Sequence, residues 1–216
     1  MTYEEIAAEY AKDEAEIATK CDGKMRRYFN EYRRKIISAP ADKDIFFEPN
    51  RLTSTRGNEY MMQTFSHGKN NFKKYGLFYY DFMYFHRKEG IHVVIDTSNN
   101  PVLGHNYSIF IPHFFQRYKE RFLNGGELNS FELFVEFFSH NQTLSVQEIH
   151  SDKYENSVYM ACDQGIVLGS KINNTLYVMK TFITYDMLKG GQVEISQDLS
   201  ESLCEVVDIN REFGMA

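Results

Sequence analysis

Apolar residues recur at helical spacing over the first twenty positions of the chain. Ile6, Tyr10 and Ile17 fall on one side of a helix that covers residues 2–20, while acids and alanines fill much of the remainder. Thr2 is followed three residues later by Glu5, which is the spacing of a capping box. The pattern therefore predicts a helix that begins near the first residue.

A second amphipathic stretch runs from Lys24 to Ile37, after a break predicted at Asp22 and Gly23. It holds six bases against one acid. A solvated helix face that pairs with the acidic first helix explains this composition more simply than a nucleic-acid contact, and the pattern allows both. Residues 38–75 contain prolines and glycines without a sustained period, so this segment is predicted to be mostly loop.

Strand patterns begin at Leu77. The runs LFYYDFMYFHR and IHVVIDTS are aromatic and β-branched and are separated by Lys88-Glu89-Gly90, so they predict a β-hairpin. A shorter strand is predicted at residues 107–111. Three further runs, SVYMACD, GIVLGSKI and LYVMKTFIT, are joined by turn residues and predict an antiparallel meander, followed by a short helical turn at residues 185–189.

Two helices are predicted between these groups of strands. Pro112 opens the segment HFFQRYKERFL at a position where helices tolerate proline, and its aromatic and polar residues separate onto two faces. Asn129 and Ser130 cap the segment SFELFVEFFSH, which is apolar around most of its circumference and is expected to be largely buried.

Together these elements predict the α+β class. We expect a helical N-terminal extension, a β-hairpin, and two helices packed on an antiparallel sheet that ends in a three-strand meander. The predicted divisions are a helical extension and loop region at 1–75, an α+β main domain at 76–192 and an acidic C-terminal segment at 193–216.

Charge is distributed unevenly among these divisions. The chain of 216 residues has a formal net charge of -6, but residues 1–22 hold seven acids and two bases and residues 193–216 hold six acids and one base. The total argues against a general polyanion binder, since such affinity comes from basic residues that displace counterions. The positive remainder leaves room for a small local phosphate site.

Several other classes of protein are disfavoured. No stretch is long and apolar enough to span a membrane, the N-terminus lacks the pattern of a signal peptide, and Cys21, Cys162 and Cys204 have no metal-site spacing. We therefore expect free thiols, a cytoplasmic protein and no membrane partner. The chain also lacks a phosphate-binding glycine loop, HExxH and GxSxG, which disfavours nucleotide-dependent enzymes, zinc proteases and α/β-hydrolases.

One helical face concentrates groups that could carry chemistry. His113, Arg117, Glu120 and Arg121 are spaced by four, seven and eight residues, which places a titratable imidazole beside two fixed cations. Such a face suits an anion, and the alternative is a set of ion pairs on a helix surface. A metal site at His86 and His92 with a third histidine, His105 or His113, is a further, minor interpretation.

The order of a strand, two helices, a three-strand meander and a closing helical turn resembles the RelE-like toxins and the wider barnase, EndoU, colicin and RelE group of metal-independent ribonucleases. The segment PHFFQRYKER is similar to the His-x-x-x-Arg-x-x-x-Arg signature of small bacterial domains in that group, here His113, Arg117 and Arg121. GIVLGSKINNTLYVMKTFIT resembles their closing strands, where a basic residue and a hydroxyl face the site. The matching positions are Lys180, Thr181 and Thr184.

This resemblance, which covers residues 105–190, implies RNA cleavage without a metal or another cofactor. His113 would exchange a proton with a ribose 2′-hydroxyl or a departing 5′-oxygen. The cations would stabilise charge on the phosphate, and a threonine would position it. The implied catalytic residues are His113, Arg117, Arg121, Lys180 and Thr184.

Strand alternation refines this assignment. It places Lys180, Phe182 and Thr184 on one face of the last strand, so Thr184 ranks above Thr181 as the partner of Lys180. Exposed rings such as Tyr118 or Tyr185 would stack on an unpaired base. Thr181, Tyr118 and Tyr185 are thus predicted to bind substrate.

Three interpretations of function remain. The first is a metal-independent endoribonuclease, toxin-like or associated with a phage or mobile element, with RNA and an inhibitor or partner protein as its partners. The second is a non-enzymatic binding or assembly module, and a metalloenzyme ranks third. The pattern leaves the oligomeric state open.

Overall fold

The structure, a computed structural model, describes residues 1–40, 44–97, 104–141, 144–148 and 156–188. The described residues form two compact units. We call Ala8–Tyr84 the N-terminal unit, and we call Met1–Ala7 with residues 85–188 the C-terminal unit. The division passes through the first helix and through the fourth strand.

The N-terminal unit combines helices with antiparallel strands. Strand β3 pairs with β1, β2 and β4, all antiparallel. The elements along this part of the chain are α1 (Tyr3–Ser38), β1 (Asp44–Phe46), β2 (Asn50–Thr53), β3 (Glu59–His67), α2 (Gly68–Tyr75) and β4 (Phe78–Arg87).

The N-terminal half of α1 agrees with its sequence pattern. Thr2 and Glu5 form the predicted capping box, with the Thr2 amide donating to Glu5 Oε2 at 2.7 Å and the Glu5 amide donating to Thr2 Oγ1 at 3.3 Å. Tyr10 and Ile17 are buried. The hydrophobic side of this helix is therefore the one that the sequence predicts.

Two predictions for this region are wrong. Helix α1 continues through Asp22 and Gly23 as one helix of 36 residues, because a glycine inside a helix costs only about 1 kcal/mol. The segment predicted as loop at 38–75 contains three strands and helix α2. Residues 60–66 of β3 are all buried, so the strand lacks the apolar-polar alternation that identifies a half-exposed strand.

The C-terminal unit is a mostly antiparallel sheet with two helices. Its strands lie in the order β5-β6-β10-β9-β8-β7, in which only the β6–β10 pair of the described strands is parallel. The elements are β5 (Gly90–Asp96), β6 (Tyr107–Phe110), α3 (Pro112–Arg121), α4 (Ser130–His140), β7 (Ser145–Glu148), β8 (Ser157–Cys162), β9 (Gly165–Asn173), β10 (Leu176–Ile183) and a 3-10 turn (Tyr185–Met187).

Aromatic rings hold the helices on one face of this sheet. Phe110 of β6 meets Phe114 of α3 edge to face at 4.9 Å, and Phe182 of β10 packs against Tyr118 at 5.2 Å. Phe137 of α4 joins the same cluster. The opposite face of the sheet has a second apolar cluster, formed by Tyr159, Ala161, Ile166 and Ile183.

The fold class is therefore α+β, as predicted. Helices α3 and α4 begin where the sequence indicates, with Pro112 at the start of α3 and a complete capping box between Asn129 and Glu132 at the start of α4. The predicted meander is β8–β9–β10, preceded by the additional strand β7. Residues 193–216 lie outside the described residues. Within the described ranges, no helix has the length and apolarity required to cross a lipid bilayer.

Candidate functional site

The polar side of α3 brings together two of the predicted site residues, His113 and Arg117, with the neighbouring Glu120. Arg117 Nε donates a hydrogen bond to His113 Nε2 at 3.3 Å, and Arg117 Nη1 lies 2.7 Å from Glu120 Oε2. Because His113 Nε2 accepts, the proton of the neutral imidazole is on Nδ1. His113 is exposed to solvent.

Glu120 balances the charge of this cluster. It accepts hydrogen bonds from Gln116 at 2.9 Å and from Arg117, and these two contacts lower the pKa of its carboxyl group. An anion that binds Arg117 therefore has to compete with an ionised carboxylate. The pairing weakens anion binding at α3. It does not prevent binding, because the Arg117 side chain is still 38% exposed to solvent.

Arg121 has a different position from the one that the resemblance implies. Its Nη1 atom donates to the backbone oxygen of Phe182 at 2.5 Å, a contact that joins the end of α3 to β10. The group is half-buried. In this structure Arg121 connects helix and sheet and does not extend beside His113.

Tyr118 is a core residue. Its side chain is fully buried, and its hydroxyl donates to Gln164 Oε1 at 2.7 Å. Burial raises the pKa of this phenol. The prediction that Tyr118 stacks on a base is wrong, because the aromatic side of α3 faces the sheet and leaves no ring surface for a ligand.

A β-bulge changes the face of the sheet on which Lys180 lies. Met179 pairs with Gly169 and Phe182 pairs with Val167, so three residues of β10 span the distance of two residues of β9. Met179 and Phe182 consequently share the helix-bearing face. Lys180 is the extra residue.

Lys180 therefore does not share the face of Phe182, and the alternation predicted for the last strand is wrong. Its Nζ atom donates to Ser170 Oγ at 2.6 Å. Ser170 is paired with Val178 and lies two residues from Leu168, on the face that carries Ile166. Lys180 and the polar side of α3 are thus on opposite sides of the sheet, and the structure does not bring Lys180 together with His113.

The remaining predicted residues lie around the end of β10. Thr181 pairs with Leu168, away from α3. Thr184 precedes the 3-10 turn as its N-cap residue and is half-buried. Tyr185 donates its hydroxyl to the backbone oxygen of Cys162 at 2.6 Å and keeps 39% of its exposure. Tyr185 therefore presents a partly exposed aromatic ring.

A groove of about 600 Å³ lies at the start of α3. This volume falls within the usual range for small-molecule sites. Its walls come from the β4–β5 turn, from α3 and from the start of α4. The polar groups in its lining include Glu89, His92, His113, Gln116, Lys119 and Ser130.

The turn before β5 closes one side of this groove. Gly90 has φ +129, and a Cβ atom there would come within 3.1 Å of Pro112 Cβ. A larger residue would be strained and would push the turn away from α3. The glycine therefore permits the close approach that gives the groove this wall.

His92, which the sequence analysis considers only as a possible metal ligand, also lines the groove. It is 1% exposed, its ring stacks on Phe85 at 5.0 Å, and its Nδ1 atom lies 3.4 Å from the backbone oxygen of Gly90. Burial lowers its pKa, so the neutral form is favoured. The hairpin pattern predicts the strand that contains His92. It carries no signal that the turn before this strand lies against α3.

The histidines predicted as possible metal ligands have separate surroundings. His105 Nδ1 lies 2.6 Å from Asp96 Oδ2, whereas His92 Nε2 lies 3.6 Å from Glu89 Oε1. Within the described ranges, no group of three metal-ligating side chains includes His86, His92 or His113. The geometry gives the proposed His86–His92 metal site no support.

Comparison with protein-family models, with curated proteins and with solved structures finds no match to this chain.

Proposed function

We propose that this protein is a metal-independent endoribonuclease and that its reaction takes place in the groove at the start of α3. The supporting observation is that His113 is exposed, lines a groove of nucleotide-compatible size and is in direct contact with Arg117. An imidazole next to a guanidinium combines a proton-exchanging group with a fixed positive charge. Both are useful for cleaving a phosphodiester without a metal ion.

The reaction would use the ribose of the substrate as its nucleophile. The 2′-oxygen forms a bond to phosphorus while the bond from phosphorus to the 5′-oxygen breaks, so the products are a 2′,3′-cyclic phosphate and a 5′-hydroxyl. When Arg117 turns to the phosphate, His113 Nε2 takes the 2′-hydroxyl proton, and water supplies the proton that the leaving 5′-oxygen requires. Arg117 stabilises the charge that develops on the phosphate, once the phosphate displaces Glu120.

Lys119 replaces Lys180 as the second cation in this proposal. Lys119 lines the groove and its Nζ atom donates to the backbone oxygen of Leu128 at 3.2 Å, which leaves further donors on the ammonium group. Lys180 faces Ser170 on the other side of the sheet. The proposed site therefore uses Lys119, whereas the arrangement that the family resemblance implies uses Lys180.

The test is cleavage of a labelled RNA in the presence of EDTA. We expect His113→Gln to lower the rate by about 100-fold or more, because acid–base groups commonly contribute that much. His140→Gln is the matched control, since His140 is an exposed histidine on α4 that is paired with Glu136. Lys180→Ala is expected to retain activity.

Two outcomes would contradict the proposal. The first is RNA that stays intact at high protein concentration. The second is a loss of activity in Lys180→Ala that exceeds the loss in His113→Gln. Thermal unfolding of each variant, measured alongside, separates a change in chemistry from a change in folding.

A non-enzymatic binding or assembly module is the second candidate. The observation that favours it is the structural use of the predicted cations, since Arg121 binds a backbone oxygen and Arg117 is paired with Glu120. This interpretation predicts intact RNA and a defined oligomer or partner complex. Cleavage in EDTA that depends on His113 would exclude it.

A further inference from the structure

Four arginines occupy one side of the C-terminal half of α1. At about 100° per residue, they fall within an arc of about 120°. All four are exposed. They are Arg26, Arg27, Arg33 and Arg34.

These arginines lack the ion pairs that bases elsewhere on the same helix have. In the N-terminal half of α1, Lys12 pairs with Glu9 at 2.7 Å and Lys20 pairs with Glu16 at 2.6 Å. Arg56 also reaches Glu9, at 2.6 Å. Over the part of the chain that the structure describes, none of the four arginines has an ion-pair or hydrogen-bond partner. Their charge is directed to solvent.

Helix α2 packs beside the same part of α1 and adds positive charge. Phe29 of α1 stacks on Phe72 of α2 at 5.1 Å, and Phe72 belongs to an apolar cluster with Ile36 and Phe47. Helix α2 contains no acid and carries Lys69, Lys73 and Lys74. Residues 24–38 and 68–76 together hold nine bases and one acid, and we call them the basic surface.

Apolar groups lie within the basic surface. Phe29 is 41% exposed although one side of its ring faces Phe72, and Ile37 is 42% exposed. On the helix circumference Phe29 lies about 40° from Arg33 and about 60° from Arg26. An exposed ring beside guanidinium groups is the arrangement on which an unpaired base can stack while its phosphates meet the cations.

We propose that the basic surface binds single-stranded nucleic acid. Charge complementarity favours a polyanion, and the exposed ring favours unpaired bases over a duplex. The surface belongs to the N-terminal unit, so the proposal does not rest on cleavage at His113.

The test measures binding with a probe that cannot be cleaved through its ribose. Fluorescence anisotropy would follow titration of the full chain into labelled single-stranded 2′-O-methyl RNA, whose blocked 2′-oxygen prevents attack on the phosphate. Replacing Arg26, Arg27 and Arg33 by Gln should weaken binding by about tenfold or more at low salt. It should also reduce the slope of log affinity against log salt by about 2.

A charge-matched variant and a stacking variant complete the design. Replacing Lys12, Lys20 and Lys88 by Gln removes the same charge outside the basic surface and should change the affinity and the salt slope little. Phe29→Leu keeps an apolar contact with Phe72 and removes the exposed ring. We expect this variant to bind about tenfold more weakly with an unchanged salt slope.

The competing ligands are single-stranded DNA, the duplex of the same RNA, and vesicles of phosphatidylserine and phosphatidylcholine. Binding of either single strand, weakened by the arginine variant and not by the charge-matched variant, would support the proposal. Tighter binding of the duplex than of the single strand would overturn it, and so would binding of vesicles alone. Equal affinity of the arginine and charge-matched variants would also overturn it.

Discussion

Individual side chains in this protein differ in how far their role follows from residue type. His113 and Arg117 lie together because a spacing of four residues places them on one side of any helix. Arg121 follows the same periodicity, yet its side chain turns to a backbone oxygen of β10. Sequence periodicity therefore predicts the side of a helix, whereas the atoms that a long side chain contacts depend on its neighbours in the sheet.

Glu9 shows how such contacts make stability depend on pH. Hydrogen bonds from Lys12 and Arg56 hold its pKa at about 2, well below its ordinary value. The folded state therefore binds this proton less readily than the unfolded chain. The stabilising contribution is present above about pH 4.5 and is lost as the pH falls towards 2.

We expect Glu9→Gln to reduce the acid sensitivity of folding. Unfolding midpoints of the variant and the parent should differ most near neutral pH and converge as the pH approaches 2. Glu31→Gln is the control, because Glu31 is an exposed acid of α1 for which the described residues supply no ion-pair partner. Parallel pH profiles for the parent and Glu9→Gln would contradict the assignment of this contact.

At the scale of elements, the sequence predicts the starts of α3 and α4 from Pro112 and the Asn129 cap, and it predicts the β8–β10 meander from β-prone runs joined by turn residues. It fails for β3, whose residues 60–66 are buried on both faces. It fails also at Gly23, where a residue typical of helix ends lies inside α1. In β3 burial of both faces removes the alternation that identifies a strand, and in α1 the rest of the helix outweighs the cost of one glycine.

The glycines of two elements allow a matched test of packing. A Cβ atom at Gly165 would overlap the backbone oxygen of Ile183 and come within 2.7 Å of Phe182 Cζ, whereas at Gly23 it would meet nothing within 4 Å. Gly165→Ala should therefore destabilise the protein by about 1–3 kcal/mol. Gly23→Ala should stabilise it by about 0.5–1 kcal/mol, because alanine loses less entropy in a helix.

Urea unfolding followed by circular dichroism would measure both changes. The two substitutions add the same methyl group, so their opposite signs depend only on the space and backbone at each position. Shifts in the same direction would show that the packing described around β9 and β10, or the helical state of Gly23, is incorrect.

At the scale of the whole molecule, each unit contains one buried thiol among the residues that the structure describes. Cys21 lies in the N-terminal unit and Cys162 in the C-terminal unit, and burial raises the pKa of both to about 12. Both are free cysteines, as the sequence predicts. The two-unit division itself could not be predicted, because the boundary at Tyr84 falls inside a continuous strand and carries no composition change.

The two thiols should be unreactive in the folded protein. At neutral pH we expect Cys21 and Cys162 to react with iodoacetamide more slowly than an exposed cysteine by on the order of a thousandfold, since only the thiolate attacks. Both should react at the ordinary rate in urea. Mass spectrometry of peptides assigns each label to its cysteine, and rapid native labelling of either one would contradict its burial.

The extra residue at Lys180 reverses the face of the sheet on which each later residue of β10 lies. Met179 and Phe182 both stay beneath the helices although three positions separate them, and residues that a simple count assigns to the helix side move to the reverse side. Deleting position 180 would remove the extra residue and force either Met179 or Phe182 off the helix-bearing face of the sheet. The identity of the residue at 180 is therefore free to vary, but the number of residues between Met179 and Phe182 is not.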